Sequence, residues 1–360
     1  MIEWEKYYLK DNPFLATPII TVDKRDKRLN GRFFCEDVVG NTLQRILKQL
    51  DRNPNMIFVA SDRIPRGTGK SALMAAAYWR LADQNRDAVW LNVTAGVSTA
   101  SLVGRIFDSM VAHGYMKKLR KEIKTPTEDR VSNLLSRIYT TIPLGYIAAI
   151  KRILEQPDDQ VASALSRTRL RIPLYSPIEV FEKLLDIFKT IKIDRFYFFI
   201  DQFEEYVVTT SPDRLSSELN DLIRACNEKA TIIVTMHPDA EKIYSSAASG
   251  DLETLAPIDD RTRFYLPRFG KRESMILTEF YLSGFRTDNA KAPTVLYPFV
   301  EEAIKYMAEK TGWLIRDFMV ALRNALIQGA QSGYTIIDKK FIMQDTIHYQ
   351  IFGGTARKKV

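Results

Sequence analysis

Two cysteines and three histidines are all that this chain of 360 residues offers toward soft-metal chemistry. Cys35, Cys226, His113, His237 and His348 lie far apart, with none of the short spacings of a zinc site, and two cysteines make no disulfide framework. Both thiols are expected to be reduced and packed, and no transition-metal site is expected. Long apolar runs are missing as well. The longest candidate, "IPLGYIAAI" (142–150), has nine residues, half of the roughly 18 that a membrane span requires. The opening "MIEWEKYYLKDNPF" holds no apolar core of a signal peptide. These absences predict a cytoplasmic protein without a transmembrane segment.

What is present is ordinary in bulk and uneven in distribution. With 46% hydrophobic and 27% charged residues the composition is that of a soluble globular protein, and the net charge of +8 is compatible with a polyanionic partner. Between Gly114 and Ser176 twelve Lys/Arg stand against six Asp/Glu, so most of the excess sits in under a fifth of the length. A second basic cluster, "DKRDKRLNGR" (23–32), carries Lys24, Arg25, Lys27, Arg28 and Arg32 against two aspartates, and suits a solvated loop equally well.

The sharpest local signal is "RIPRGTGKSAL" (63–73). It follows "MIFVAS", a short apolar run of strand character, and precedes "KSALMAAAYWRLADQ", whose Leu73, Ala77 and Leu81 recur at helical spacing. Strand, glycine loop and helix are the order a phosphate-binding loop requires. The cradle is read as Pro65, Arg66, Gly67, Thr68, Gly69, Lys70, Ser71 and Ala72. Backbone N–H groups from Gly67 to Lys70 would face phosphate oxygens at a helix N-terminus. Lys70 would neutralise phosphate charge and the Ser71 hydroxyl would ligate Mg²⁺. Ile64 stands where the full pattern has glycine, so the entrance of the loop must turn differently there.

Downstream, "FYFFIDQFEEY" (196–206) opens with a continuous apolar strand ending in Asp201, the form of an acidic, Mg²⁺-holding segment. Gln202 follows where a catalytic glutamate is usual; an amide takes no proton from water, which leaves Glu204 and Glu205 as the near candidates for a base. "AVWLNV" and "ATIIVTMH" read as further strands, with Thr235 or His237 at the end of the latter expected beside the γ-phosphate. Strands alternating with helices predict an α/β fold: a doubly wound parallel sheet.

The C-terminal third adds "IDDRTRFYLPRFGKRESMILTEFYL", with arginines before a short strand and a helix. A run of amphipathic helices follows and contains a Gly-x-x-x-Arg element, Gly312 to Arg316. Together with the loop and the acidic strand this order resembles the AAA+ P-loop ATPases. In detail it is similar to origin-recognition initiators and the related transposition-helper and secretion ATPases; "KDNPFLATP" resembles the starts of the latter, and "DQFEE" resembles the STAND signalling ATPases. The resemblance implies ATP and Mg²⁺ as cofactors, a homo-oligomer in which Arg261 or Arg263 reaches a neighbour's γ-phosphate, a C-terminal helical lid, and contact from Arg316. Two departures stand beside it: glutamine at 202, and a chain that ends soon after the lid, without the winged-helix domain of initiators.

The expected organisation is an N-terminal segment (1–50) leading into the core, a core over 51–269 with a basic helical insert at about 114–176, a lid over 270–350 and a flexible basic tail over 351–360. Within the insert, "DRVSNLLSRIYTTIPLGYIAAIKRIL" reads as helices broken at Pro143, with Leu134, Leu135, Ile138 and Ile142 on one side. "SALSRTRLRIPLY" alternates Arg167, Arg169 and Arg171 with apolar residues at period two. Three readings stay open: a subdomain packing its own apolar face, an arm contacting DNA, or a surface for a protein or membrane partner. The sequence predicts an ATPase coupling nucleotide state to DNA-associated assembly, as in replication initiation, transposition or mobile-element maintenance; the alternative is a nucleotide-gated switch or assembly ATPase with slow hydrolysis and a protein or membrane-machine partner.

Overall fold

The structure, a computed structural model, describes residues 4–14, 35–39, 41–60, 67–93, 102–123, 127–135, 144–157, 160, 177–249, 261–287 and 291–353. The chain divides into two compact units. One joins Met1–Gln44, Ser61–Ala76 and Tyr265–Val360; the other joins Arg45–Ala60 and Ala77–Phe264.

The second unit is built on a five-stranded sheet. In chain order it comprises β1 (Met56–Ala60), β2 (Asp87–Asn92), β3 (Phe196–Asp201), β4 (Ala230–Met236) and β5 (Arg263–Tyr265), arranged β2-β3-β4-β1-β5. The pairings β2–β3, β3–β4 and β1–β4 are all parallel. Every side chain of β1, β3 and β4 is buried, which is why these segments read as unbroken apolar runs. Register is tight: Ala60 pairs with Met236, and Ile200 with Val234, so β1, β3 and β4 end at one edge. Carboxyl ends of parallel strands are where α/β sheets place ligands. At the opposite edge Arg195 bolts the sheet, donating to the carbonyls of Asn53, Pro54 and Ala230 and to the Thr231 hydroxyl at 3.0–3.2 Å.

The helices preceding this region of the chain are α1 (Glu36–Val39) and α2 (Thr42–Leu50); α3 (Lys70–Asp83) links β1 to β2. Between β2 and β3 come α4 (Leu102–Ala112), α5 (Tyr115–Ile123), α6 (Glu128–Leu135), α7 (Leu144–Glu155) and α8 (Pro177–Thr190). Then follow α9 (Phe203–Thr209) and α10 (Pro212–Cys226) before β4, and α11 (Pro238–Ser249) after it. The described residues of the basic insert share the core of the sheet unit. Met116, Leu119 and Ile123 of α5, Val131 of α6 and Ile147, Ile150 and Ile153 of α7 join the same apolar cluster as Phe181 and Phe188 of α8 and Phe196 and Phe198 of β3. The break at Pro143, the residues Ile138 and Ile142, the side chains of Leu134 and Leu135, and the alternation of Arg167, Arg169 and Arg171 lie outside the described residues. So do Ile64, the cluster at 23–32 and the tail beyond 353. No helix among the described residues is long and apolar enough to cross a membrane.

On the side of β2 away from β3, main-chain groups are met by side chains. Trp90 N–H donates to His113 Nε2 and the Tyr115 hydroxyl donates to Ala88 C=O, each at 3.4 Å. The His113 Nδ1 lies 2.8 Å from Ser109 C=O, which assigns the ring proton to Nδ1 and the acceptor lone pair to Nε2.

The first unit is helical: α12 (Lys271–Phe285), α13 (Glu301–Lys310), α14 (Ile315–Gln331), α15 (Lys339–Ile342) and α16 (Asp345–Phe352). The N-terminal segment, expected to lead into the core, lies in this unit and shares its apolar cluster. Tyr7, Leu9 and Phe14 pack with Leu282, Phe299, Phe318 and Ile337. Main-chain bonds Lys10 N–H to Phe285 C=O and Thr287 N–H to Tyr8 C=O, both 2.9 Å, hold it beside the end of α12, and Arg286 donates to Tyr7 C=O at 2.7 Å. Gly329 makes room for it: a Cβ there would stand 2.9 Å from Ile337 Cδ1 and 3.0 Å from the Tyr7 hydroxyl, which is itself bonded to Tyr334 C=O at 2.6 Å.

Candidate functional site

The glycine loop is described from Gly67 onward; Pro65 and Arg66 lie outside the described residues. Gly67 has φ +80° and Gly69 φ +98°, backbone conformations that side-chain-bearing residues rarely adopt. They lead straight into α3, whose first residue is Lys70, with Ser71 half-buried and Ala72 buried behind it. Only 6% of Lys70 is exposed. A cation buried at the positive end of a helix runs against the macrodipole, and a bound anion reverses that disadvantage. The Thr68 hydroxyl is also buried, with no hydrogen-bond partner among the described residues. Positive-φ glycines, an unsatisfied buried hydroxyl and a buried lysine at a helix N-terminus are what a phosphate group fits.

The Gly-x-x-x-Arg element seats on this same loop, within the same unit. Gly312 and Trp313, at φ +63° and +60°, make the turn from α13 into α14. Arg316, in the first turn of α14, donates its backbone N–H to Gly67 C=O at 3.2 Å. Leu314 and Ile315 close over the glycines. A Cβ on Gly67 would meet Arg316 Cβ at 3.4 Å and Leu314 Cβ at 3.9 Å; one on Gly69 would meet Ile315 Cδ1 at 3.4 Å. The Arg316 side chain itself is exposed. The apolar pair inside the element was not singled out from the sequence, although its place between Gly312 and Arg316 is the signal that would have found it.

In the sheet unit Asp201 ends β3, 4% exposed, with its carbonyl accepting from Val93 N–H at 2.9 Å. Gln202 then takes a left-handed conformation (φ 58°, ψ 30°) and α9 begins at once. Glu204 is buried, and its Oε2 accepts from the Thr235 hydroxyl at 2.5 Å; Glu205 beside it is half-buried. His237, the other candidate at the end of β4, caps the next helix: its Nδ1 accepts from Ala240 N–H at 3.2 Å. Arg261 is exposed, while Arg263 is half-buried on β5. No group of three or more His, Cys, Asp or Glu side chains able to hold a metal occurs among the described residues. A Mg²⁺ carried by one carboxylate, one hydroxyl and substrate phosphates needs none.

One residue missed by sequence reasoning braces the helix after Asp201. Glu218 on α10 accepts from Arg214 Nε at 2.7 Å, from the Tyr206 hydroxyl, and from Leu102 N–H at 3.1 Å, the last closing the N-terminus of α4. Burial pushes the Glu218 carboxyl upward, but its bonds from Tyr206, Arg214 and Leu102 outweigh that and hold it below the usual carboxylate range. The Tyr206 phenol is raised, by burial first and then by Glu218.

The basic residues of the insert divide by use. Arg120 donates to Leu154 C=O at 3.1 Å and to Gln156 C=O at 2.6 Å, and Arg130 to Ile123 C=O at 3.1 Å. Those two guanidinium groups tie helices together. Lys117, Lys121 and Arg152 are exposed, and Lys118 pairs loosely with Asp87 at 3.8 Å.

No family model matches the chain, and no curated protein does. Among solved structures it is similar to the Walker-type ATPase of Pyrococcus abyssi, with TM-score 0.49 and 13% identity over 86% of this chain and 73% of that one. It is similar to the ORC2 protein of Aeropyrum pernix, solved as ADPNP–ADP complexes, with TM-score 0.49 and 12% identity over 97% and 72%. It is also similar to the Aeropyrum pernix ORC1 protein in complex with DNA, with TM-score 0.44 and 11% identity over 88% and 64%. At such identities the functional reading rests on the residues of the site itself.

Proposed function

We propose that this chain is an ATP-binding, Mg²⁺-dependent P-loop ATPase of the AAA+ kind that works as a homo-oligomer and couples nucleotide state to assembly on or near DNA. The observation that carries the ATP reading is the loop Gly67–Ser71: two positive-φ glycines, the buried Thr68 hydroxyl and Lys70, with the lid element bonded to Gly67 C=O. In this reading the loop amides and Lys70 hold the phosphates, Ser71 and Asp201 hold Mg²⁺, and Arg316 reaches the γ-phosphate from the lid. Mg²⁺ held by those residues would supply positive charge against the phosphate oxygens. Arg261 or Arg263, supplied by a neighbouring copy, would stabilise transition-state charge, a task suited to a permanently charged fork of donors. The exposed lysines of α5 and the net positive charge support a nucleic-acid partner, read through its backbone rather than its bases.

The test compares ATP affinity and multiple-turnover hydrolysis for the wild type and Lys70→Ala, with and without duplex or single-stranded DNA at low ionic strength. The reading expects turnover that Lys70→Ala abolishes and that DNA changes. Equal turnover in both proteins would remove the ATPase assignment, and absence of DNA binding with ATP present would remove the DNA partner. A second reading, a nucleotide switch with slow hydrolysis and a protein partner, is favoured by Gln202 in the place of an acid and by the structural use of Arg120 and Arg130. It expects tight ATP binding and slow turnover indifferent to DNA.

A further inference from the structure

We propose that a surface of the helical unit, built by Tyr306, Lys310, Lys339, His348 and Tyr349, binds single-stranded nucleic acid, with the lysines on the phosphodiester backbone and Tyr349 stacked on a base. The inference rests on the nucleic-acid part of the reading above, gives it a second surface apart from α5, and needs no ATP hydrolysis. Its starting point is a pair of like charges around one ring. The Lys310 ammonium, at the end of α13, stands 5.5 Å from the Tyr306 ring centroid, and the Lys339 ammonium, at the start of α15, stands 5.3 Å from it. Both lysines are exposed, and neither meets a carboxylate among the described residues. The carboxylates next to them in sequence are engaged elsewhere: Glu309 lies 3.9 Å from Lys305, and Asp338 accepts the Phe341 N–H at 2.7 Å. Two ammonium groups gathered at one ring gain cation–π attraction but repel each other. A phosphate oxyanion between them turns that repulsion into attraction.

Neighbouring groups complete the surface. On α16, His348 and Phe352 lie one helical turn apart, and the His348 ring is 4.7 Å from Phe352 and 6.3 Å from Tyr306. Neither the Tyr306 hydroxyl nor a His348 ring nitrogen makes a hydrogen bond to another described residue, so both are available to phosphate or sugar oxygens. One step round α16 stands Tyr349, at 75% the most exposed large aromatic side chain among the described residues. Its ring has a defined seat: a Cβ on Gly353 would stand 3.2 Å from Tyr349 Cε2 and 3.3 Å from Cδ2, so the glycine leaves that place to the ring. A seated, exposed ring beside lysines combines stacking with backbone charge, which is how single strands are held. An acidic peptide would use the lysines and leave the ring without a partner. A duplex keeps its bases stacked on one another, so the ring selects the unpaired strand.

The experiment is fluorescence anisotropy of labelled oligothymidylate, a labelled DNA duplex and labelled polyglutamate over a series of salt concentrations. The full chain is compared with the double variant Lys310→Gln, Lys339→Gln and with Tyr349→Ala and Tyr349→Trp, with thermal melting alongside. The lysine variant is expected to bind oligothymidylate about tenfold or more weakly at low ionic strength. It should also flatten the slope of log K against log salt by about 1.4, the counterion release from two phosphates of a single strand. Tyr349→Ala should weaken oligothymidylate binding by about fivefold or more with the salt slope kept and duplex binding little changed, and Tyr349→Trp should restore it. Melting should stay close to wild type in all of them. An unchanged salt slope in the lysine variant overturns the proposal. So does a Tyr349→Ala loss that tryptophan fails to rescue or that is equal for duplex, and so does polyglutamate bound as tightly as oligothymidylate. If the chain binds duplex while these variants bind oligothymidylate like the wild type, this surface fails and the DNA reading above stands. If the chain binds neither nucleic acid, both fail.

Discussion

The main-chain N–H of Arg316 donates to the carbonyl of Gly67 at 3.2 Å, while the Arg316 side chain stays exposed. The first turn of α14 therefore meets the loop through its backbone, and the guanidinium takes no part in that bond. Arg316→Ala is expected to leave folding stability within about 0.5 kcal/mol of wild type, since the amide bond survives the substitution. ATP turnover is expected to fall by about tenfold or more, because removing an arginine from a phosphoryl-transfer site removes transition-state charge stabilisation. Urea unfolding alongside a turnover assay separates the two effects.

Gly67→Ala and Gly69→Ala each place a Cβ in a backbone conformation with positive φ, at about 1–2 kcal/mol. They also set it 3.4 Å from Arg316 Cβ and Ile315 Cδ1, respectively. Both should weaken ATP binding by roughly tenfold or more, since 1.4 kcal/mol is a factor of ten. Titration with a fluorescent ATP analogue reads this directly, and affinity equal to wild type would refute it.

Glu218→Gln replaces a carboxylate that holds Arg214, Tyr206 and the N-terminus of α4, and should destabilise the protein by about 1.5–3 kcal/mol at neutral pH. Its folded-state carboxyl is depressed, so this stabilisation is present above the unfolded value of about 4.3 and lost as pH falls through the lower folded value. The gap between wild type and variant in chemical denaturation should be full at pH 7 and shrink in acid. A gap of constant size would show that the charge contributes nothing.

Gly329→Val drives a side chain into Ile337, 2.9 Å from the new Cβ, and into the Tyr7 hydroxyl at 3.0 Å. Overpacking of this kind costs about 1–3 kcal/mol, seen as a lower melting temperature. It should also loosen the segment around Tyr7, measured as faster amide exchange at Lys10 and Thr287, whose N–H groups hold that segment in place.

The parallel sheet was legible because β1, β3 and β4 are buried on both faces and their residues form unbroken apolar runs. The glycine turn was legible because its positive-φ positions, Gly67 and Gly69, favour one residue type. Contacts made across the chain were not. Nothing in "MIEWEKYYLKDNPF" announces that Tyr7 will meet Tyr334 and Gly329, more than 300 residues away. Glu218, within "DRLSSELNDLIR", has the look of a solvated helical charge, and its three partners come from three different segments. Arg120 and Arg130 count toward a basic patch in sequence yet fasten helix ends in space, since a guanidinium serves a buried carbonyl as well as a phosphate. His237 shows the same ambiguity: a polar residue at a strand end suits a phosphate, and here it also caps α11.

His113 and Tyr115 meet the Trp90 N–H and Ala88 C=O on the outer side of β2. The sheet consequently has a finished border there, and a second copy cannot extend it strand by strand at those two groups.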